Sequence, residues 1–157
     1  MRISFDLDDT LICLDPAVPR EPNRVPRLLK FYFNDPLRAG TIALFQQLRE
    51  EGWEIFIYTS SLRSQAYIRW LFWFYGLKID KVINQNIHDA TVKDGPYKAG
   101  PSKLPGKFGI KLHVDDADYV YETGRQFGFD VLLIKPEDNQ WTAKVLSEAK
   151  RYKENRK

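Results

Sequence analysis

The apolar positions of this chain change period along its length. Arg2 to Leu7 is a short β-branched and aromatic run, the pattern of a buried strand. Similar runs predict strands at Trp53 to Tyr58, Lys81 to Asn84, Ile110 to Val114 and Val131 to Ile134. Between them the spacing becomes helical. From Pro36 to Glu51, residues Leu37, Ile42, Leu44, Phe45 and Leu48 fall near one helix face. Pro36 suits the start of that helix and Gly52 the position just past its end. Leu62 to Tyr75, stopped by Gly76, Ala117 to Phe127 and Gln140 to Tyr152 predict three more helices. Two stretches break the rhythm. Pro16, Pro19, Pro22 and Pro26 exclude a long helix at the start of the Asp15–Pro36 segment, leaving Leu28 to Phe33 as a short helical or extended piece. Gln85 to Lys107 reads as irregular, with Gly95, Pro96, Gly100, Pro101, Pro105 and Gly106. There is no internal repeat and no low-complexity segment. Alternating strands and helices predict an α/β fold around a mainly parallel sheet. Its crossovers are expected to be right-handed, with ligands bound beyond the carboxyl ends of the strands.

At 157 residues the chain has the size of one domain, and ten Phe, eight Tyr and four Trp supply bulk for a single core. The whole of 1–157 is therefore read as one domain. Cys13 is the only cysteine, which excludes an intrachain disulfide and a cysteine-rich zinc site. It is expected to be a packed thiol. The acids near the N-terminus arrive before an apolar signal region, and the longest apolar run, Trp70 to Leu77, is too short to span a bilayer. The expected setting is cytoplasmic. Net charge is +3, with six Lys and Arg against two acids between Lys144 and Lys157. That basic tail reads as a final helix fraying into solvent.

The candidate chemistry lies at the predicted strand ends. Asp6 and Asp8 stand where the first strand runs out, and Asp115 and Asp116 where the fourth does. In a parallel sheet these ends share one edge. Four carboxylates in one crevice repel unless a cation sits among them, and oxygen donors favour a hard ion such as Mg²⁺. Helix capping accounts for one such pair but poorly for two. Thr59, Ser60 and Ser61 end the second strand, where hydroxyls and amides at a helix start can cradle phosphate. Lys98, Lys103 and Lys107 lie in the Gly/Pro loop before the fourth strand, placed to neutralise phosphate charge.

This ordered set resembles the haloacid dehalogenase (HAD) superfamily, mainly its phosphohydrolase branch. "DLDDT" (Asp6 to Thr10) is similar to that family's first motif, "FIYTS" to its second, Lys103 (ahead of Lys107) to its third and "HVDD" to its fourth. The resemblance implies a three-layer, Rossmann-like, five-stranded sheet in the order 5-4-1-2-3. It implies Asp6 as a nucleophile that forms an aspartyl-phosphate, and Asp8 as the acid and then base of phosphate-monoester hydrolysis. It implies Mg²⁺ held by the Asp6 carboxylate, the Asp8 main-chain carbonyl and Asp116, with Asp115 acting through water or supporting the other ligands. Thr59, Ser60 and Lys103 are the implied phosphate contacts. An acid at the Asp8 position favours hydrolysis over transfer or dehalogenation.

The segments that carry a cap domain in most such proteins are short here, so residues 13–35 are read as a Pro-rich flap and no large cap is expected. An open site suits a large phosphorylated substrate, a phosphoprotein or a nucleic-acid end. Arg20, Arg24, Arg27 and Lys30 oppose one acid, Glu21, between Val18 and Lys30, giving the flap a basic rim. The aromatic stretch Tyr67 to Gly76 wraps nearly all round a helix, with core packing, a homodimer contact and a base-stacking platform as its readings. His113, inside the fourth strand, is expected to be packed or hydrogen-bonded, and His88 lies in a loop with no paired ligand. Two other readings compete. In a response-regulator receiver domain the phosphorylated Asp ends the middle strand, where this chain offers Thr59 or Asn84. The other is a non-catalytic, phosphatase-like binding or regulatory module, against which Asp6 and Asp8 argue.

Overall fold

The strands β1 (Arg2–Phe5), β2 (Glu54–Tyr58), β3 (Lys81–Ile83), β4 (Leu112–Asp115) and β5 (Val131–Leu133) form one sheet in the computed structural model, which describes residues 1–92 and 100–154. Their order is β3-β2-β1-β4-β5 and every adjacent pair is parallel. Read from the other edge, this is the expected 5-4-1-2-3. Among the described residues the α-helices are α1 (Thr41–Glu50), α2 (Gln65–Phe74), α3 (Gln85–Val92), α4 (Asp118–Phe127) and α5 (Trp141–Glu154).

The period-two alternation of β2 assigns the two faces of the sheet. Ile55 and Ile57 belong to the larger core, with Leu44 and Phe45 of α1, Phe72 of α2 and Val145 of α5. Phe56 and Tyr58 face the opposite side, against Phe108 and Ile110, with Ile87 of α3 packed on them. Ser4 of β1 and His113 of β4 also lie on this second side, joined by a 2.8 Å hydrogen bond. Polar groups therefore enter the sheet on the face that leads to the lysine-bearing loop. No helix among the described residues is long and apolar enough to cross a membrane.

Two elements differ from the expectation. The first helix starts at Thr41, five residues after Pro36. Leu37 and Arg38 instead pair in antiparallel bridges with Ile12 and Arg20, which fastens the flap to the domain. Buried Arg38 explains the delay. Its guanidinium donates to the carbonyls of Thr10, Lys135, Pro136 and Asp138, which fixes this segment in extended form. Gly40 then turns the chain at φ +89°, a left-handed conformation that favours glycine. A Cβ there would also meet Thr142 Cγ2 at 2.8 Å.

The second difference is α3, which falls where the sequence predicts irregular chain. Asn84 opens it, its side-chain oxygen accepting from Ile87 N–H at 3.2 Å, and His88 and Val92 turn inward one helical turn apart. The Gly95 and Pro96 positions of that irregular stretch, and Lys98, lie outside the described residues.

Candidate active site

β1 and β4 end side by side, and Asp6 N–H donates to the Val114 carbonyl at 2.8 Å. This register brings Asp6 and Asp115 to one edge, as the sequence predicts. Between them sits the Lys103 ammonium, almost wholly buried, donating to Asp6 Oδ1 and to Asp115 Oδ2, the latter at 2.5 Å. Asp115 is held from behind. His113 Nε2 lies 2.9 Å from the same Oδ2, and Asp115 Oδ1 accepts from the Ala117 amide at 2.9 Å. Thr10 Oγ1 donates to Asp116 Oδ1 at 3.1 Å.

The turn after β1 aims Asp8. The Leu7 carbonyl accepts from both Leu11 N–H and Ile12 N–H, at 3.0 and 2.8 Å. Asp9 takes φ +56° to close this loop, a conformation that Asp tolerates better than most residues. The Asp8 carboxylate, half exposed, meets Arg63 Nη1 at 2.8 and 2.9 Å through its two oxygens. Arg63 Nε also bonds Asp35 Oδ2 at 3.0 Å, and Tyr67 donates its hydroxyl to that same oxygen at 2.9 Å.

Thr59 is buried at the end of β2, where its N–H donates to the Ile83 carbonyl at 2.9 Å. Helix α2 begins only at Gln65, capped by the Ser64 hydroxyl. The 59–63 segment is thus a loop of hydroxyl-braced turns instead of the first turn of a helix. Thr59 Oγ1 accepts from Ser61 N–H at 3.0 Å, and Ser61 Oγ accepts from Arg63 N–H at 3.1 Å. Ser60 sits exposed in the bend.

Lys103 is fixed by a clamp on the second face of the sheet. Leu104 N–H donates to the Tyr58 hydroxyl at 2.8 Å, and that hydroxyl is hydrogen-bonded to His88 Nδ1 at 2.6 Å. His88 in turn hydrogen-bonds the Pro101 carbonyl. The loop is therefore tied on both sides of its lysine. Lys107 lies exposed in the 3-10 turn Pro105–Phe108.

No family model matches this sequence, and no curated protein matches it significantly. Solved structures do. The chain is similar to a component of the Pnkp1/Rnl/Hen1 complex, with a TM-score of 0.54 and 16% identity over 85% of this chain. It spans 44% of that component's length. It is also similar to the HAD domain of effector protein Lem4 from Legionella pneumophila, with a TM-score of 0.52 and 17% identity. There the match covers 94% of this chain and 92% of that domain.

The chain shares the fold of that HAD domain.

Within this HAD-like fold the charges are unequally neutralised. Burial raises the Asp6 carboxyl to about pH 7, reinforced by Asp115 and Asp116 against the opposing charge of Lys103. Burial also disfavours the charge on Asp115, but the His113 hydrogen bond and Lys103 outweigh it and hold its pKa well below the usual carboxylate range. Asp116 is raised, by burial and then by Asp115, with the Thr10 hydrogen bond opposing. Lys103 is raised despite burial, because two carboxylates face it. One lysine thus serves Asp115 fully and leaves Asp6 and Asp116 short of positive charge.

That imbalance is what a hard cation relieves. Among the described residues no group of three or more His, Cys, Asp or Glu side chains could hold a metal ion on its own. The four acids differ in their partners: Lys103 engages both Asp6 and Asp115, and Arg63 engages Asp8. Asp6, which shares Lys103 with Asp115, and Asp116 would be oxygen donors, together with the Asp8 main-chain carbonyl. Such a set suits Mg²⁺, which keeps several waters and takes few protein ligands.

The sequence pattern does not mark Arg63, Asp35, Tyr58 or His88 as site residues. Arg63 had one signal, a lone cation four residues after Thr59 at the functional edge. Tyr58 and His88 gave none, since a strand Tyr and a loop His carry no mark of their pairing.

Proposed function

We propose that this chain is a Mg²⁺-dependent phosphate-monoester hydrolase that works through an aspartyl-phosphate on Asp6. The observation that carries the reading is the buried Lys103 ammonium shared by Asp6 and Asp115, with Asp8 two residues beyond Asp6. A carboxylate beside a fixed cation, at the carboxyl edge of a parallel sheet, suits phosphoryl transfer.

In this mechanism an Asp6 carboxylate oxygen attacks phosphorus and the bond to the leaving oxygen breaks. Asp8 gives its proton to that oxygen. A water then attacks the aspartyl-phosphate, loses its proton to Asp8, and releases phosphate and the free Asp6 carboxylate. Arg63 holds the Asp8 side chain for both transfers. Lys103 stabilises charge on the phosphoryl oxygens as it spreads, while the Thr59 hydroxyl and the Ser60 amide offer further donors. Asp6, Asp116 and the Asp8 main-chain carbonyl would hold Mg²⁺, which would supply positive charge for the Asp6 carboxylate and the phosphoryl oxygens.

The site is proposed to work without a large cap, open to a macromolecular phosphate ester. The single buried thiol of Cys13 accords with a reducing, cytoplasmic setting. The test is Mg²⁺-dependent release of phosphate from a generic aryl phosphate. Turnover is expected in the native protein and its near-complete loss in a folded Asp6→Asn variant. Normal turnover in that variant overturns the mechanism.

A further inference from the structure

A chain of aromatic rings runs from the catalytic edge over the surface. It begins at Tyr67, whose hydroxyl bonds Asp35 beside Arg63 and Asp8. The Tyr67 ring packs against Tyr32 at 5.5 Å and Phe33 at 5.0 Å between centroids. Phe33 meets Phe74 at 5.1 Å, Phe74 meets Trp70 at 6.1 Å, and Trp70 meets Trp73 at 5.2 Å. The inner rings are buried or half-buried. The outer ones are not: Trp70 is 52% exposed, Trp73 63%, Tyr32 56% and Phe31 83%. Helix α2 therefore buries Ile68, Leu71 and Phe72 in the core and leaves a second aromatic face open.

The two segments that supply these rings carry a positive charge excess. Val18 to Asp35 and Ser61 to Tyr75 together hold six of the chain's 24 Lys and Arg but only two of its 21 Asp and Glu, leaving 18 against 19 elsewhere. The two acids are already engaged, Glu21 with the Ile42 amide and Asp35 with Arg63. Arg24 and Arg69 are anchored on main-chain carbonyls, which leave their charge unmatched. Arg27 and Lys30 are exposed, and no carboxylate pairs with them among the described residues.

We infer that the Tyr32–Trp70–Trp73 face binds the single-stranded end of a nucleic acid, delivering its terminal phosphomonoester to Asp6. The inference rests on the proposed phosphatase reading for what happens at Asp6, but not for the binding itself. Exposed rings among unpaired cations match a strand that presents planar bases and a phosphate on every nucleotide. From Tyr67 to Trp73 the helix rises about 9 Å, room for two or three bases at about 3.4 Å per nucleotide. A second copy of this chain fits worse, because a two-fold contact would set this positive face against itself. The rings also lead into the catalytic edge, which a docking lipid surface would not need.

The test uses the full chain and a fluorescein-labelled oligothymidylate of about ten nucleotides without a terminal phosphate, a length within the range single-strand binding sites span. Anisotropy is expected to show binding that weakens as salt is raised. The Trp70→Leu/Trp73→Leu double variant is expected to bind at least tenfold more weakly, while its hydrolysis of a small aryl phosphate stays at the native level. Trp53 and Trp141 are buried, so quenching of tryptophan fluorescence by the unlabelled strand should come from the other two and vanish in the variant. Absence of binding overturns the inference, and so does binding that the double variant leaves intact. A native dimer that the double variant dissociates, or quenching by anionic phospholipid vesicles but not by the oligonucleotide, overturns it as well and assigns the face to those partners. Strand binding that depends on the tryptophans, in a protein that hydrolyses no aryl phosphate, retains this inference and removes the phosphatase reading.

Discussion

A single nitrogen of Arg63, Nη1, holds both oxygens of the Asp8 carboxylate, at 2.8 and 2.9 Å, while Nε of the same side chain bonds Asp35. Arg63 thereby ties the turn after β1 to the loop after β2 and to the flap. A planar guanidinium can serve two carboxylates at fixed angles, which a lysine cannot. Arg63→Ala is expected to lower kcat for an aryl phosphate by about ten- to a hundredfold, the scale at which an acid–base group loses its placement. Arg63→Lys is expected to recover little of it. Steady-state kinetics on the two variants checks this, and full activity in Arg63→Lys would show that charge alone suffices.

The buried position of Lys103 separates its role from that of Lys107. Lys103→Ala is expected to cost at least about a hundredfold in kcat/KM, near 1.4 kcal/mol for each factor of ten. It also leaves Asp6 and Asp115 facing each other without a cation, a loss of about 3–5 kcal/mol if both stay ionised. Urea denaturation should report that loss, reduced to the extent that Asp6 takes up a proton. Lys107→Ala, at an exposed position in a turn, should stay within about 0.5 kcal/mol of the native stability and keep its activity.

Tyr58 reaches the lysine only through the loop. Tyr58→Phe keeps the ring but strips partners from the Leu104 amide and His88 Nδ1, each buried, at a cost of about 1–3 kcal/mol per unsatisfied group. If the clamp acts by placing Lys103, the same substitution should lower kcat in the native background and leave it unchanged in Lys103→Ala. Comparing the four proteins in a double-mutant cycle decides this. Equal effects in both backgrounds would reduce the clamp to a stability device.

Metal binding should appear in the melting curve as well as in turnover. A ligand that binds the folded state alone stabilises it, by about 2.7 kcal/mol at a hundred times its dissociation constant. Millimolar Mg²⁺ is expected to raise the Tm of the native protein. In Asp116→Ala the increment should vanish, and the metal-free variant should melt no lower than the metal-free native protein, because one repelling carboxylate is gone. A native Tm that does not respond to Mg²⁺ would remove the metal from the proposed site.

Much of the scaffold is dictated locally, and so was legible in the sequence. Short runs such as Glu54 to Tyr58 are apolar enough to be central strands, and helices such as Asp118 to Phe127 are marked by glycine at the end. Alternation of the two then brings strand ends to one edge, which is why Asp6 and Asp115 could be paired without a structure. Local pattern failed where a side chain far along the chain sets the backbone. Arg38 delays α1 because its partners are carbonyls at 135–138. Asn84 and His88 nucleate α3 against a loop that pattern marks only as irregular. The carboxylates show the division most clearly. Their number and their edge follow from composition and alternation, which are properties of the chain read in order. Which cation each receives depends on distances between residues up to 97 apart in sequence, Lys103 to Asp6 and Arg63 to Asp8. Only packing fixes such distances, because charge acts through space and the order of residues does not record where the chain returns.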